Sequence, residues 1–145
     1  MKKLIILFAA ILFGAATSFA TNPPTVRVEW SIGTCDCVPA SANDYYKITI
    51  SIYDNANSTW VYSNFTRTTA DTDTYEILFE VEDMPNYCKD SHPNPPSFTV
   101  TATVWYIQTT PDPDVECCTD SQVSTGDCHD FEFDDIFLMN NIELN

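Results

Sequence analysis

Hydrophobic residues recur at every second position along much of this chain, the period of a β-strand with one buried face. Val26, Val28, Trp30 and Ile32 alternate with Arg27, Glu29 and Ser31, and Tyr46, Ile48, Ile50 and Ile52 alternate with Lys47, Thr49 and Ser51. A more mixed run, Thr59 to Arg67, sets Trp60 and Tyr62 against Val61 and Phe65. Tyr75, Ile77, Phe79 and Val81 oppose Glu76, Glu80 and Glu82, with Leu78 the one exception. Phe98, Val100, Ala102, Val104 and Tyr106 alternate with Thr99, Thr101 and Thr103. A sixth strand starts with Phe131 and Phe133, slips by one residue at Asp134-Asp135 as a bulge would, and resumes at Ile136 and Leu138. Asn140-Asn141 then turns the chain into a short final strand, Ile142 to Leu144. No stretch repeats apolar residues at helical spacing over three turns, so the pattern predicts strands and no helix.

Strands with one apolar face pack best as two sheets face to face. The expected fold is therefore all-β, an antiparallel two-sheet β-sandwich. The fourth and fifth runs, YEILFEVEDMP and FTVTATVWY, resemble the E and F strands of immunoglobulin-like and fibronectin type III domains over about thirty residues. That resemblance implies an architecture and no function; jelly-roll and transthyretin-like strand orders stay open beside it.

The first twenty residues depart from the alternation. In MKKLIILFAAILFGAATSFA, Lys2 and Lys3 form a basic start, Leu4 to Phe13 an apolar stretch, and Ser18 and Ala20 place small side chains where a signal peptidase reads. The apolar stretch is shorter than the roughly 18–20 residues that span a bilayer. Residues 1–20 are read as a secretory signal peptide, and 21–145 as a single domain acting in a secreted, periplasmic or cell-surface setting, of bacterial type. Cysteines oxidise there.

Charge narrows the partners. The full chain carries a formal charge of −15, and removing Lys2 and Lys3 with the leader takes it to −17. A domain this acidic is repelled by nucleic acid and by anionic lipid, both of which are held by Lys and Arg. Neutral glycans, basic proteins and divalent cations remain. Nine Phe, seven Tyr and three Trp can bury a core, which argues against a disordered chain.

If every connection reverses the chain, loops 33–44, 68–73 and 108–130 share one end of the sandwich, and 54–58 and 83–97 the other. Cys35, Cys37, Cys117, Cys118 and Cys128 then fall at the first end and Cys88 at the second. Six cysteines in an exported domain predict three disulfides. Cys35 and Cys37 should each reach into 108–130, with Cys88 taking the cysteine left over there. Zinc could use the same cysteines with His129, but the spacing fits no zinc knuckle. The short carboxylate runs Asp71-x-Asp73 and Asp112-x-Asp114 suit calcium, which takes six to eight loop oxygens.

Catalytic signatures are missing: there is no G-x-S-x-G, no H-E-x-x-H and no phosphate-binding glycine loop. His92 sits in a proline-rich loop and His129 beside Cys128, so neither marks a nucleophile. Trp105 and Tyr53 fall on the less apolar parity of their strands and are the candidate ligand-binding aromatics. The functional expectation is an extracellular binding or adhesion module for a glycan or protein, and not an enzyme. The alternatives are a self-associating structural or accessory subunit of a surface assembly, pairing through an edge strand, and a small secreted hydrolase.

Overall fold

The first five alternating runs all form strands, because one side of each can be buried while the other stays wet. The computed structural model describes residues 22–35, 41–70, 75–88, 96–109 and 114–145; residues 1–20, read from the sequence as a signal peptide, lie outside them. The strands are β1 (Thr25–Ile32), β2 (Tyr45–Asp54), β3 (Thr59–Thr69), β4 (Glu76–Glu80), β5 (Ser97–Gln108), β6 (Val115–Asp127) and β7 (Ile136–Leu144). A one-turn helix α1 (Met84–Tyr87) and a 3-10 turn (Cys128–Phe131) complete the described elements, so the expectation of no helix fails only by these single turns. No helix among the described residues is long and apolar enough to cross a membrane.

Two sheets face each other, ordered β4-β1-β7 and β3-β2-β5-β6. Pairing is antiparallel except between β1 and β7, which run parallel. The fold is thus an all-β sandwich, but its strand order is not the immunoglobulin one. In a constant-type immunoglobulin domain the first two strands share a sheet; here β1 and β2 lie in different sheets.

The described residues share one core. Val26, Val28, Ile48, Ile50, Ile52, Phe79, Phe98 and Val100 are all fully buried within it. At one end Phe131 stacks on Phe137 at 5.0 Å and meets Phe98 edge-on at 5.6 Å. Ile32 and Tyr75, expected inward, lie beyond the packed centre and are exposed.

The largest departure from the expected layout is β6. The 108–130 segment, expected as one long loop, contains a strand of 13 residues. Its inward positions, opposite Val104, Ala102, Val100 and Phe98, are Asp120, Gln122, Ser124 and Gly126. They are polar or small for a local reason. Asp120 and Gln122 accept hydrogen bonds at 2.9 Å from the backbone N–H groups of Glu143 and Asn141, so side chains of one sheet cap the open edge of the other. At Gly126 a β-carbon would sit 2.6 Å from the Phe137 ring, so the close approach of β6 to β7 requires glycine.

The end of the chain differs as well. β7 is continuous through Asn140 and Asn141, with no turn there. Val28 pairs with Met139 and Trp30 with Ile142, so two residues of β7 face one of β1: the bulge lies at Asn140-Asn141 rather than at Asp134-Asp135. Asp134 instead takes a turn conformation with φ 69°, bonded to Asn22. Phe137 and Met139 point inward and Ile136 and Leu138 outward, one step off the expected parity. Phe131 is buried from the 3-10 turn, and Phe133 is exposed.

Candidate ligand-binding face

The alternation that sends Ile48, Ile50 and Ile52 inward sends Lys47, Thr49, Ser51 and Tyr53 outward, and the ladders place neighbours beside them. Lys47 lies between Thr68 of β3 and Trp105 of β5. Thr49 lies between Thr66 and Thr103, and Ser51 beside Thr101. Tyr53 lies between Trp60 and Thr99. On β6 the outward positions beside Trp105, Thr103, Thr101 and Thr99 are Thr119, Ser121, Val123 and Thr125. The Thr49 and Thr66 hydroxyls share a hydrogen bond of 2.7 Å, and the Thr99 hydroxyl donates to Asn55 at 3.0 Å. Between the Lys47 and Tyr53 rows no outward position carries an acid.

An aromatic site stands at each end of this hydroxyl-lined strip. The Lys47 ammonium lies 5.0 Å from the Trp105 ring centroid, within cation–π range. Tyr53 meets Trp60 edge-on at 4.9 Å, and Trp60 is 54% exposed. Lys47 and Tyr53 are six residues apart on β2, so about 20 Å separates the two sites at ~3.3 Å per residue. Trp105 and Tyr53, the aromatics singled out from the sequence, both lie on this face, half-buried, at opposite ends of it. Trp60 was expected inward; irregularities in the β2–β3 register around Ile52 turn it outward. Phe65, another residue of the wet parity, packs instead against Tyr62 and Phe79.

Buried carboxylates close both ends of β2 and hold the aromatic sites in place. At the start of β2, Asp44 is 1% exposed and accepts from the Thr109 and Ser41 backbone N–H groups, the Ser41 hydroxyl and the Tyr106 hydroxyl, the last at 2.9 Å. Burial pushes its pKa up, but these donors outweigh burial and hold it at about 2 against an ordinary 3.8. Burial first, and then the bond to Asp44, push the Tyr106 hydroxyl from 10.0 to about 12. At the other end Asp54, fully buried, accepts from the backbone N–H groups of Ala56 and Asn57 and from the Asn57 amide. This Asx turn fixes the β2–β3 connection, and with it the Tyr53–Trp60 pair.

The cysteines join as pairs. Cys35 is bonded to Cys118, with Cα atoms 6.0 Å apart, and Cys88 to Cys128, with Cα atoms 5.5 Å apart. Cys117 is disulfide-bonded too; Cys37 lies outside the described residues. Cys35 does reach into 108–130 and Cys88 does take a cysteine of that segment. Cys128, assigned with the other loop cysteines to the first end, lies at the opposite end instead, because β6 runs the length of the sheet between Cys118 and Cys128. Cys117 is the extra residue where the β5–β6 register shifts: Tyr106 pairs with Cys118 and Ile107 with Glu116. The sulfurs of Cys35, Cys117 and Cys118 lie within 4.8 Å of one another, a cluster that could hold a metal ion as thiolates; all three are oxidised here.

Of the four acids expected to favour calcium, Asp71, Asp73 and Asp112 lie outside the described residues. Asp114 is exposed and accepts from the Tyr45 hydroxyl at 3.2 Å. His92 also lies outside them. His129 borders a cleft of about 500 Å³, lined with the Cys88–Cys128 bond, Pro85, Phe131, Glu132 and Phe133. A hydrogen bond to Glu132 at 3.0 Å is the main cause raising its pKa, and the neighbouring sulfur is oxidised, so the cleft holds no thiol nucleophile. No protein-family model, curated protein or solved structure matches the chain.

Proposed function

We propose that this protein is an exported binding module that takes a neutral glycan on the outward face of the four-stranded sheet. One observation carries the reading: in a chain with formal charge −15, the strip from Lys47 and Trp105 to Tyr53 and Trp60 bears hydroxyls and aromatic rings and no acid. Sugar rings offer C–H faces that stack on Trp and Tyr, and hydroxyls that bond to Thr and Ser. A ligand bound by charge would call for more cations than Lys47. Disulfides suit an oxidising compartment, which supports export.

Pairing through an edge strand has less to build on at three of the four sheet edges. Asp120 and Gln122 occupy part of the β7 edge, Arg67 donates to the Leu78 carbonyl of β4 at 2.8 Å, and β3 is interrupted at Asn64, with φ 55°. Calcium held by Asp71, Asp73, Asp112 and Asp114 belongs to this proposal as a stabiliser rather than a ligand bridge. Melting in millimolar calcium against chelator, at matched ionic strength, tests it.

The deciding experiment is a screen of the oxidised protein on neutral and acidic glycans, followed by titration of the best binder. Trp105→Ala and Tyr53→Ala should each weaken binding at least tenfold while the chain stays folded. Retention only on acidic glycans, or binding indifferent to both substitutions, overturns the proposal.

A further inference from the structure

The fourth sheet edge belongs to β6, and hydrogen-bond parity shows what it offers. The Asn55 N–H donates to the Ser97 carbonyl at 2.9 Å, one step beyond the Asp54–Phe98 pair. In an antiparallel ladder, bonded and non-bonded pairs alternate. Thr99, Thr101, Thr103 and Trp105 of β5 therefore turn their backbone groups toward β2, and Phe98, Val100, Ala102 and Val104 turn theirs toward β6. Their partners on β6 are Gly126, Ser124, Gln122 and Asp120. The residues between, Thr119, Ser121, Val123 and Thr125, point their N–H and C=O groups away from the sheet, and none of these groups is bonded among the described residues.

This free run has defined ends. The Asp127 N–H is taken by the Asp130 carboxylate at 2.8 Å, and the β5–β6 register breaks at Cys117. Between those ends there is no lysine, no proline and no residue of positive φ, the devices that blunt an edge against another strand. The four side chains beside the run are exposed, Val123 by 63%. From within the sandwich, Asp120 and Gln122 accept from the β7 backbone, so the strand is anchored before any partner arrives.

We propose that a second copy of this chain pairs with this edge, β6 antiparallel to β6, about a two-fold axis at Gln122. Residues 119–125, TDSQVST, read almost alike in both directions, which selects that occupant. The axis sets Thr119 opposite the partner's Thr125, Ser121 opposite the partner's Val123, and Asp120 opposite the partner's Ser124. Every outward N–H and C=O of the run then gains a partner, and no acid within it meets an acid. A centre at Val123 would call on the Asp127 N–H, which is already taken, and one at Ser121 would call on the irregular Cys117. An unrelated extended peptide draws its specificity from side-chain pockets beside an edge, and here the flanking side chains are small hydroxyls and one valine. The pairing uses backbone groups of β6 and does not rest on the glycan reading. It is closed, since each copy spends its one free edge.

The test is sedimentation of the oxidised protein from about 10 μM to about 1 mM, the range of weak dimers, with amide hydrogen exchange read residue by residue at both extremes. A dimer should form across that range. The amides of Thr119, Ser121, Val123 and Thr125 should then exchange at least tenfold more slowly, while those of Asp120, Gln122 and Ser124, already bonded to β5, change little. Val123→Pro removes one outward N–H and no bond to β5, and should weaken the dimer at least tenfold. Val123→Lys should weaken it as well, although it makes an acidic chain less negative and relieves general repulsion. A monomer at the highest concentration leaves the edge to water or another chain and overturns the proposal. So does a dimer whose slowed amides lie on β3, β4 or β7, one that either folded variant still forms as tightly, or growth into open-ended fibres. Should neither variant fold, the alternating exchange pattern of the unsubstituted protein decides.

Discussion

On the four-stranded sheet the outward positions of β2 and β5 are threonine, serine, tyrosine, tryptophan and a single lysine. On the three-stranded sheet the outward positions of β1 and β4 include Arg27 set among Glu29, Glu76 and Glu80. Both faces arise from period-two alternation over the same core, and both belong to one strongly acidic chain. The difference teaches that net charge is a poor guide to any one surface. Acids are concentrated on the smaller sheet and beyond the strand ends, which leaves a neutral strip broad enough for an extended ligand.

The comparison requires both faces to rest on one cooperative core, and the harshest way to break it is to remove a crosslink. Cys88 and Cys128 are 40 residues apart, and replacing both with serine should cost about 4 kcal/mol by the chain-entropy argument. Chemical melts followed by tryptophan fluorescence and by amide shifts on β1 and β4 should lose stability together. Separate transitions would make the two sheets independent units.

A comparable loss, about 3 kcal/mol, is expected for Asp44→Asn, which breaks a buried charged hydrogen-bond set at the Trp105 end. Asp44 is held at about 2 against 3.8, so its contribution is complete above 3.8 and fades as pH falls through about 2. Wild type should lose stability across that window, and the variant should lose less. Tyr106, raised to about 12 from 10.0, contributes below 10.0 and its share fades as pH rises through about 12; Tyr106→Phe should flatten that alkaline limb of the melting profile.

Binding substitutions sharpen the comparison from the outside. Trp105→Ala should cost the glycan tenfold, about 1.4 kcal/mol, whereas Leu138→Asn on the other sheet should leave glycan binding unchanged. A smaller effect, about threefold on the glycan, is expected of Thr101→Asp, which plants an acid in the neutral strip and desolvates it when ligand binds. Smallest of all, Arg27→Met should move the melting free energy by less than about 1 kcal/mol, because half-exposed ion pairs are worth little and its Nε lacks a hydrogen-bond partner.

Much of this was legible in the residues. β1, β2 and β5 were readable because each needs apolar side chains on one face only, and that same parity marked Trp105 and Tyr53 as outward. Their separation was not readable, since it depends on which residues of β2 and β5 stand opposite each other. Trp60 was hidden by the register irregularities of β3, which reverse parity without altering composition. β6 was invisible to hydrophobic periodicity because its inward side chains serve the β7 edge and admit the Phe137 ring rather than filling the core. In β7 both parities are apolar, so the alternation could not say which side was wet; the aromatic start at Phe131 belongs to the 3-10 turn instead.

The extra residue at Cys117 has a consequence for biosynthesis. In a regular strand two adjacent cysteines would face opposite sides, and only one could stand near Cys35. The bulge brings both sulfurs to the same side, so a slide of β6 by a single residue would present Cys117 where Cys118 belongs. Oxidation then acts as a recorder, sealing whichever alignment the strand holds when the thiols react. The chain must therefore settle the β5–β6 ladder before its cysteines are oxidised, or meet an isomerase that can rewrite the record.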